Sequence, residues 1–86
     1  MNLNYLLNPD KFDRFGRRYP YKIELLDGFC FIGLYSGSIS NADGTFEKVW
    51  FKIIDDIEVW KTNPDYIGGE MKYLSPDEVK SIVVYQ

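Results

Sequence analysis

The stretch Lys22–Gly37 reads KIELLDGFCFIGLYSG, and its centre, Asp27-Gly28, lies between two apolar runs. Asp-Gly tolerates the positive φ angles of a type I′ turn, whose twist matches that of paired strands. A two-residue turn at Asp27-Gly28 sets the pairing: Leu26 opposite Phe29, Leu25 opposite Cys30, Glu24 opposite Phe31, Ile23 opposite Ile32, and Tyr21 opposite Leu34. One face of this hairpin carries Tyr21, Ile23, Leu25, Cys30, Ile32 and Leu34, all apolar. The other mixes Lys22, Glu24, Leu26, Phe29, Phe31 and Gly33. A register that segregates side chains so cleanly predicts a buried face and an outer face. Gly33, inside the second strand, predicts a sharp bend of the kind small barrels use.

Working outward, Asn8-Pro9-Asp10 has the residue types of a helix start, and Gly16 those of a stop. A short helix over Pro9–Phe15 would dock through Phe12 and Phe15, within an N-terminal helical segment of residues 1–18. Downstream, SGSISNADGT (36–45) is polar and rich in turn formers, and reads as a loop. Its SNADGT part resembles a fragment of a calcium loop but lacks the remaining ligands and the terminal Glu, so a hairpin turn is expected. In FEKVWFKIIDDIEVWK (46–61), Val49, Phe51 and Ile53 alternate with Trp50 and Lys52 and predict a strand. Asp55-Asp56 marks a turn or a bulge, after which Ile57 and Val59 alternate with Glu58 and Trp60. TNPDYIGGE (62–70) is a second loop. Met71–Leu74 is a short strand, SPDE (75–78) a single helical turn, and Lys80–Tyr85 a closing strand. The expected fold is mainly β: one domain over residues 1–86, a small antiparallel five-stranded barrel over residues 19–86 with an N-terminal helix and a helical turn before the last strand.

Composition narrows the function classes. The chain has 86 residues, a net charge of −3 and 17% aromatic residues. Such a balance argues against a protein that coats nucleic acid non-specifically. The charge is uneven: residues 1–24 carry five Lys/Arg and three Asp/Glu, and residues 25–86 carry five and ten. The single cysteine, Cys30, rules out an internal disulfide and suits a reducing compartment. The N-terminus lacks the pattern of a signal peptide, and no apolar run approaches the ~18 residues of a membrane span. A cytoplasmic protein without membrane contact is expected.

The arrangement resembles the Sm-like family of small barrels, in a layout shared with Src-homology-type barrels. KIELLDGFCFIGLYSG carries its strand, Asp-Gly turn and glycine-bent strand. VWFKIIDDIEV is similar to its third strand, and YLSPDEVKSIVVY to its closing strand–turn–strand. The resemblance extends from about Asn8 onward. It implies the fold; members of the family often bind RNA, in rings, through an Asp and an Asn in the loop and strand after the bend. Phe51 stands where the family's RNA-contacting Asn is expected, and the Ser36–Thr45 loop is longer than the family's, so the family's pocket does not carry over.

Chemistry-bearing residues are sparse. With no histidine, the Ser-His-Asp, Cys-His and His-based metal arrangements are excluded. Cys30 falls on the expected apolar face as a small buried hydrophobe. Asp55, Asp56 and Glu58 read as a solvated turn rather than paired catalytic carboxylates, since neighbours on a strand diverge. No enzyme and no cofactor is expected.

Two binding functions remain. The first is a non-enzymatic protein-binding module, a small inhibitory or accessory protein of the mobile-element type, a role that rests on size. Trp50, Trp60 and Tyr66 would form its aromatic patch, with Asp55, Asp56 and Glu58 beside it. Were it to mimic nucleic acid, Asp65, Glu70, Asp77 and Glu78 would join the acidic set. The alternative is RNA or other nucleic-acid binding through RFGRRYPYK (14–22). There Arg14, Arg17, Arg18 and Lys22 would contact phosphates while Phe15 and Tyr19 stack on bases. The same cations also suit a helix C-terminus. The closing strand is apolar on both faces, with Ile82 and Val84 on one and Val83 and Tyr85 on the other. Val83 and Tyr85 then need a cover, either the N-terminal helix with Phe12 and Phe15 or a second copy of the chain in a homo-oligomer through this strand.

Overall fold

A computed structural model describes residues 12–85. Its strands are β1 (Tyr21–Leu25), β2 (Cys30–Ser40), β3 (Phe46–Ile53), β4 (Met71–Leu74) and β5 (Val79–Val84). A short helix, α1 (Ile57–Thr62), lies between β3 and β4, and a 3-10 turn, Pro76–Glu78, between β4 and β5. All five strands form one antiparallel sheet in the order β4-β3-β2-β1-β5. Strands β1 to β4 are a meander. The 3-10 turn then carries the chain across to β5, which pairs with β1 at the far edge.

The sheet is not closed into the expected barrel: β4 and β5 are its two edges. It is nevertheless curled. Leu74 of β4 and Val79 and Ile82 of β5 join one core with Tyr21, Ile23, Leu25, Phe31, Val49 and Phe51. Burying side chains from both edge strands in a single cluster is how so short a chain obtains a core at all.

The hairpin at the opening stretch forms, but its register differs by one residue from the sequence expectation. Observed partners are Glu24 with Cys30, Ile23 with Phe31, Lys22 with Ile32, and Tyr21 with Gly33. The loop has three residues, Leu26-Asp27-Gly28. Leu25 N–H donates to Phe29 C=O (2.9 Å) and Gly28 N–H to Leu25 C=O (3.0 Å). A type I′ turn needs positive φ at Asp27 as well. The three-residue loop asks it of Gly28 alone, at φ 92°, and no described non-glycine residue has positive φ. Asp27 instead folds back to accept the Phe29 N–H at 2.9 Å.

The slip turns every side chain of β2 over. Phe31 and Gly33 face the core, Ile32 and Leu34 are half-buried, and Cys30 is exposed rather than buried. Gly33 makes room for aromatic rings: a Cβ there would lie 2.9 Å from both the Phe31 ring and Phe51 Cβ. Phe31 and Tyr35 then meet Phe51 edge-on, at 6.3 and 6.0 Å between centroids.

Three further expectations are corrected. Residues 36–40 belong to β2, and only Asn41–Thr45 turns, with the same hydrogen-bond pair as at Leu25–Phe29: Asn41 N–H to Thr45 C=O (2.7 Å) and Gly44 N–H to Asn41 C=O (3.0 Å). Ile57–Thr62 is a helix, not a continuing strand. Asp56 caps its start by accepting the Val59 N–H (3.2 Å), and the helical spacing of Ile57 and Trp60 buries the tryptophan. At the N-terminus, the expected helix over Pro9–Phe15 lies partly outside the described residues. Its remainder, Phe12–Phe15, is not helical. Phe12 bridges Arg18, and Asp13–Arg17 makes a third turn of the same kind, with Asp13 N–H to Arg17 C=O at 2.7 Å. The turn expected at SPDE is present, held by the Ser75 N–H donating to the Glu78 carboxylate at 3.0 Å.

Candidate functional site

The open side of the curled sheet defines the candidate site. Between the β1–β2 turn and β4 lies a groove of about 350 Å³, lined by Leu25, Leu26, Asp27, Lys72, Tyr73, Leu74, Asp77 and Glu78. Leu26 is 68% exposed and Tyr73 58%. Phe29, 46% exposed, adjoins the lining through Lys72, whose ammonium is 5.3 Å from its ring centre. The turn chemistry explains Leu26: a loop position with no core to face presents its side chain to solvent. Register explains Tyr73. It pairs with Trp50 on the outer face, while its neighbour Leu74 pairs with Val49 and is buried.

Trp50 stands beside Tyr73 on the outer face. Its indole packs over Gly37, where a Cβ would come within 2.6 Å, and its ring centre is 5.6 Å from that of Tyr73. Trp50 is half-buried and, as the alternation predicted, lies on the face opposite Val49 and Phe51.

Trp60 is elsewhere and is 4% exposed, so it cannot extend a surface patch. Arg17 covers it, with the guanidinium carbon 4.3 Å from its ring centre. Tyr19 packs on it with ring centres 6.5 Å apart. The Arg17 guanidinium also pairs with Asp13 at 2.8 Å and donates to the Trp60 (2.7 Å) and Asn63 (3.0 Å) carbonyls. These carbonyls belong to the end of α1, which cannot satisfy them internally. Arg14 donates to the next, Lys61 C=O, at 3.1 Å. Cations at a helix C-terminus were anticipated, but the helix they cap is α1 rather than an N-terminal one. Of the proposed nucleic-acid contacts, Arg18 and Lys22 are exposed and Tyr19 is half-buried. Burial works to raise the Asp13 carboxyl pKa. The hydrogen bonds from Arg17 and Phe15, together with the Arg17 charge, outweigh it and hold the carboxyl below the ordinary carboxylate value.

The acidic residues have local structural tasks. Asp56 caps α1, and Glu58 lies 3.7 Å from Lys61. The Tyr66 hydroxyl donates to the Asp55 carboxylate and accepts the Asp55 N–H. The hydrogen bond to Asp55 raises the Tyr66 pKa above its ordinary value. Among the described residues, no group of three or more Cys or acidic side chains is placed to hold a metal ion. The expected patch of Trp50, Trp60, Tyr66, Asp55, Asp56 and Glu58 is thus divided: Trp50 stands with Tyr73, Trp60 under Arg17, and Tyr66 with Asp55.

Sequence reasoning put Leu26 and Phe29 on the outer face of the hairpin, where both are exposed, but did not single them or Tyr73 out as a binding surface. A usable signal was available for Leu26, as the first residue of a three-residue turn ending in glycine. Tyr73 needs the β3–β4 register, which local sequence does not fix. No helix among the described residues is long and apolar enough to cross a membrane. Comparison with family models, characterised proteins and solved structures finds no match for this chain.

Proposed function

We propose that this chain is a non-catalytic protein-binding module whose contact surface is the groove between the β1–β2 turn and β4. The observation that carries this reading is the grouping of exposed Leu26, Phe29 and Tyr73 around one open groove. Scattered apolar side chains are ordinary on a protein surface, whereas large ones gathered on a concavity are a usual mark of a binding site. Trp50, whose ring centre is 5.6 Å from that of Tyr73, extends the patch with a second aromatic side chain of the kind that anchors interfaces. A small inhibitory or accessory role in a reducing compartment fits a module of this size with one thiol. The layout supports the small-barrel resemblance as to fold, with the seam between β4 and the β1–β2 turn left open. The nucleic-acid reading loses support from the engagement of Arg14 and Arg17 with the end of α1.

A photo-reactive phenylalanine analogue at Tyr73 tests the reading in lysate of the native host. The expected result is a discrete cross-linked protein that is absent when the analogue replaces the exposed Lys48. Equal labelling from both positions, or none from Tyr73, would overturn it.

A further inference from the structure

We infer that the open edge of β4 accepts an extended, basic segment of a partner protein as an added strand. The inference rests on the protein-binding reading of the groove and supplies the chemistry of its occupant.

Backbone phase is the first ground. Ile53 N–H donates to Glu70 C=O (2.8 Å), while on the other side Ile54 N–H donates to Ile32 C=O (2.8 Å). In an antiparallel ladder hydrogen-bonded and non-bonded pairs alternate. Both bonds set the same phase: Phe51 with Lys72, and Val49 with Leu74, are bonded pairs, whereas Lys52 with Met71, and Trp50 with Tyr73, are not. The N–H and C=O groups of Met71 and Tyr73 therefore point away from β3, toward the groove side. An outward row of backbone donors and acceptors is a template for another strand.

Side chains are the second ground. An added strand beside β4 would place alternate residues next to Lys72 and Leu74 on the core face, where Leu25 and Leu26 line the groove. That position suits an apolar residue. The lining also carries three carboxylates, Asp27, Asp77 and Glu78, against one ammonium, Lys72. The ammonium is drawn toward the Phe29 ring and the Glu78 carboxylate already accepts from Ser75 N–H, yet the rim stays acidic in sum. Acidic rims select Lys- or Arg-bearing partners and repel acidic ones.

A fluorescein-labelled octapeptide alternating lysine and valine is the probe, read by fluorescence anisotropy against the whole chain. The expected result is saturable binding, at least tenfold weaker for the glutamate–valine octapeptide. N-methylation of one alternate set of peptide amides is expected to weaken binding at least tenfold, and methylation of the other set much less. Asp27→Asn with Asp77→Asn should weaken the lysine–valine peptide severalfold while leaving the circular dichroism spectrum unchanged. Equal affinity for both charge types, or indifference to which amides are methylated, would overturn the inference. So would light scattering that shows the protein alone as a dimer whose subunits exclude the peptide, since the occupant would then be a second copy. A Tyr73 cross-link to a protein together with a failed peptide test would retain the protein-binding reading and discard this one.

Discussion

Arg17→Met tests whether one side chain ties the N-terminal loop to the rest of the domain. Methionine keeps the apolar stem over Trp60 and removes the guanidinium. The guanidinium makes an ion pair with Asp13, two hydrogen bonds to helix-end carbonyls, and a stacking contact with Trp60. A hydrogen bond to a charged group contributes about 1.5–3 kcal/mol net. The Asp13 pair is largely shielded, with side-chain exposures of 19% and 9%, so we assign it the lower part of that range. The Asn63 bond is exposed and water replaces it at little cost. The Trp60 carbonyl bond and the cation–π contact add about 1 kcal/mol together. The expected loss is about 2–3 kcal/mol, a fall in Tm on the order of 10 °C for a domain this small. Arg17→Lys should recover less than half, because an ammonium cannot span Asp13 and two carbonyls in a plane. Urea titration followed by circular dichroism measures both. A loss below about 0.5 kcal/mol for Arg17→Met would refute the assignment. Acid titration provides a second check with a definite sign. Asp13 has its folded pKa depressed, so its contribution is present above the ordinary value of 3.8 and is lost as pH falls through the lower folded value. Arg17→Met should weaken this acid-side dependence; an unchanged dependence would mean that Arg17 does not set the Asp13 pKa.

Two further substitutions probe the strands. Gly28→Val should cost roughly 1 kcal/mol or more, since Gly28 has φ 92° and a β-branched residue resists that conformation; an unchanged Tm would mean that the loop has another geometry. Gly37→Ala should displace the Trp50 indole, because its Cβ would enter within 2.6 Å of that ring. With 5-fluorotryptophan incorporated, the Trp50 fluorine resonance should move and the Trp60 resonance stay, and movement of Trp60 alone would refute the packing.

The opening stretch shows which part of a fold local sequence carries. Alternation in Tyr21–Leu25 and around Val49–Ile53 reveals that strands are present and which side chains in each share a face. It does not reveal the phase between strands, which depends on whether a loop uses two residues or three. The two-residue alternative produced an all-apolar face of Tyr21, Ile23, Leu25, Cys30, Ile32 and Leu34, and that tidiness was misleading. A glycine reads as a gap in a hydrophobic pattern, yet at Gly33 the missing side chain is the space that Phe31 and Phe51 occupy. Phe31 and Gly33, from the face that looked mixed, therefore join Tyr21, Ile23 and Leu25 in the core, while Lys22 and Leu26 stay outside it. Ile57–Thr62 shows the complementary limit. Ile57 and Val59 alternate as in a strand, but the helix gains a cap from Asp56, burial of Trp60 and carbonyl partners on Arg17, forty-three residues before Trp60 in the chain. Such distant partners override a short local pattern. The candidate site belongs to the same category. Leu26 and Tyr73 meet across a groove only because β5 crosses to β1 and leaves β4 at the edge. Each would look like an isolated exposed hydrophobe in the sequence, and it is the unfilled seam between them that brings the two to one groove.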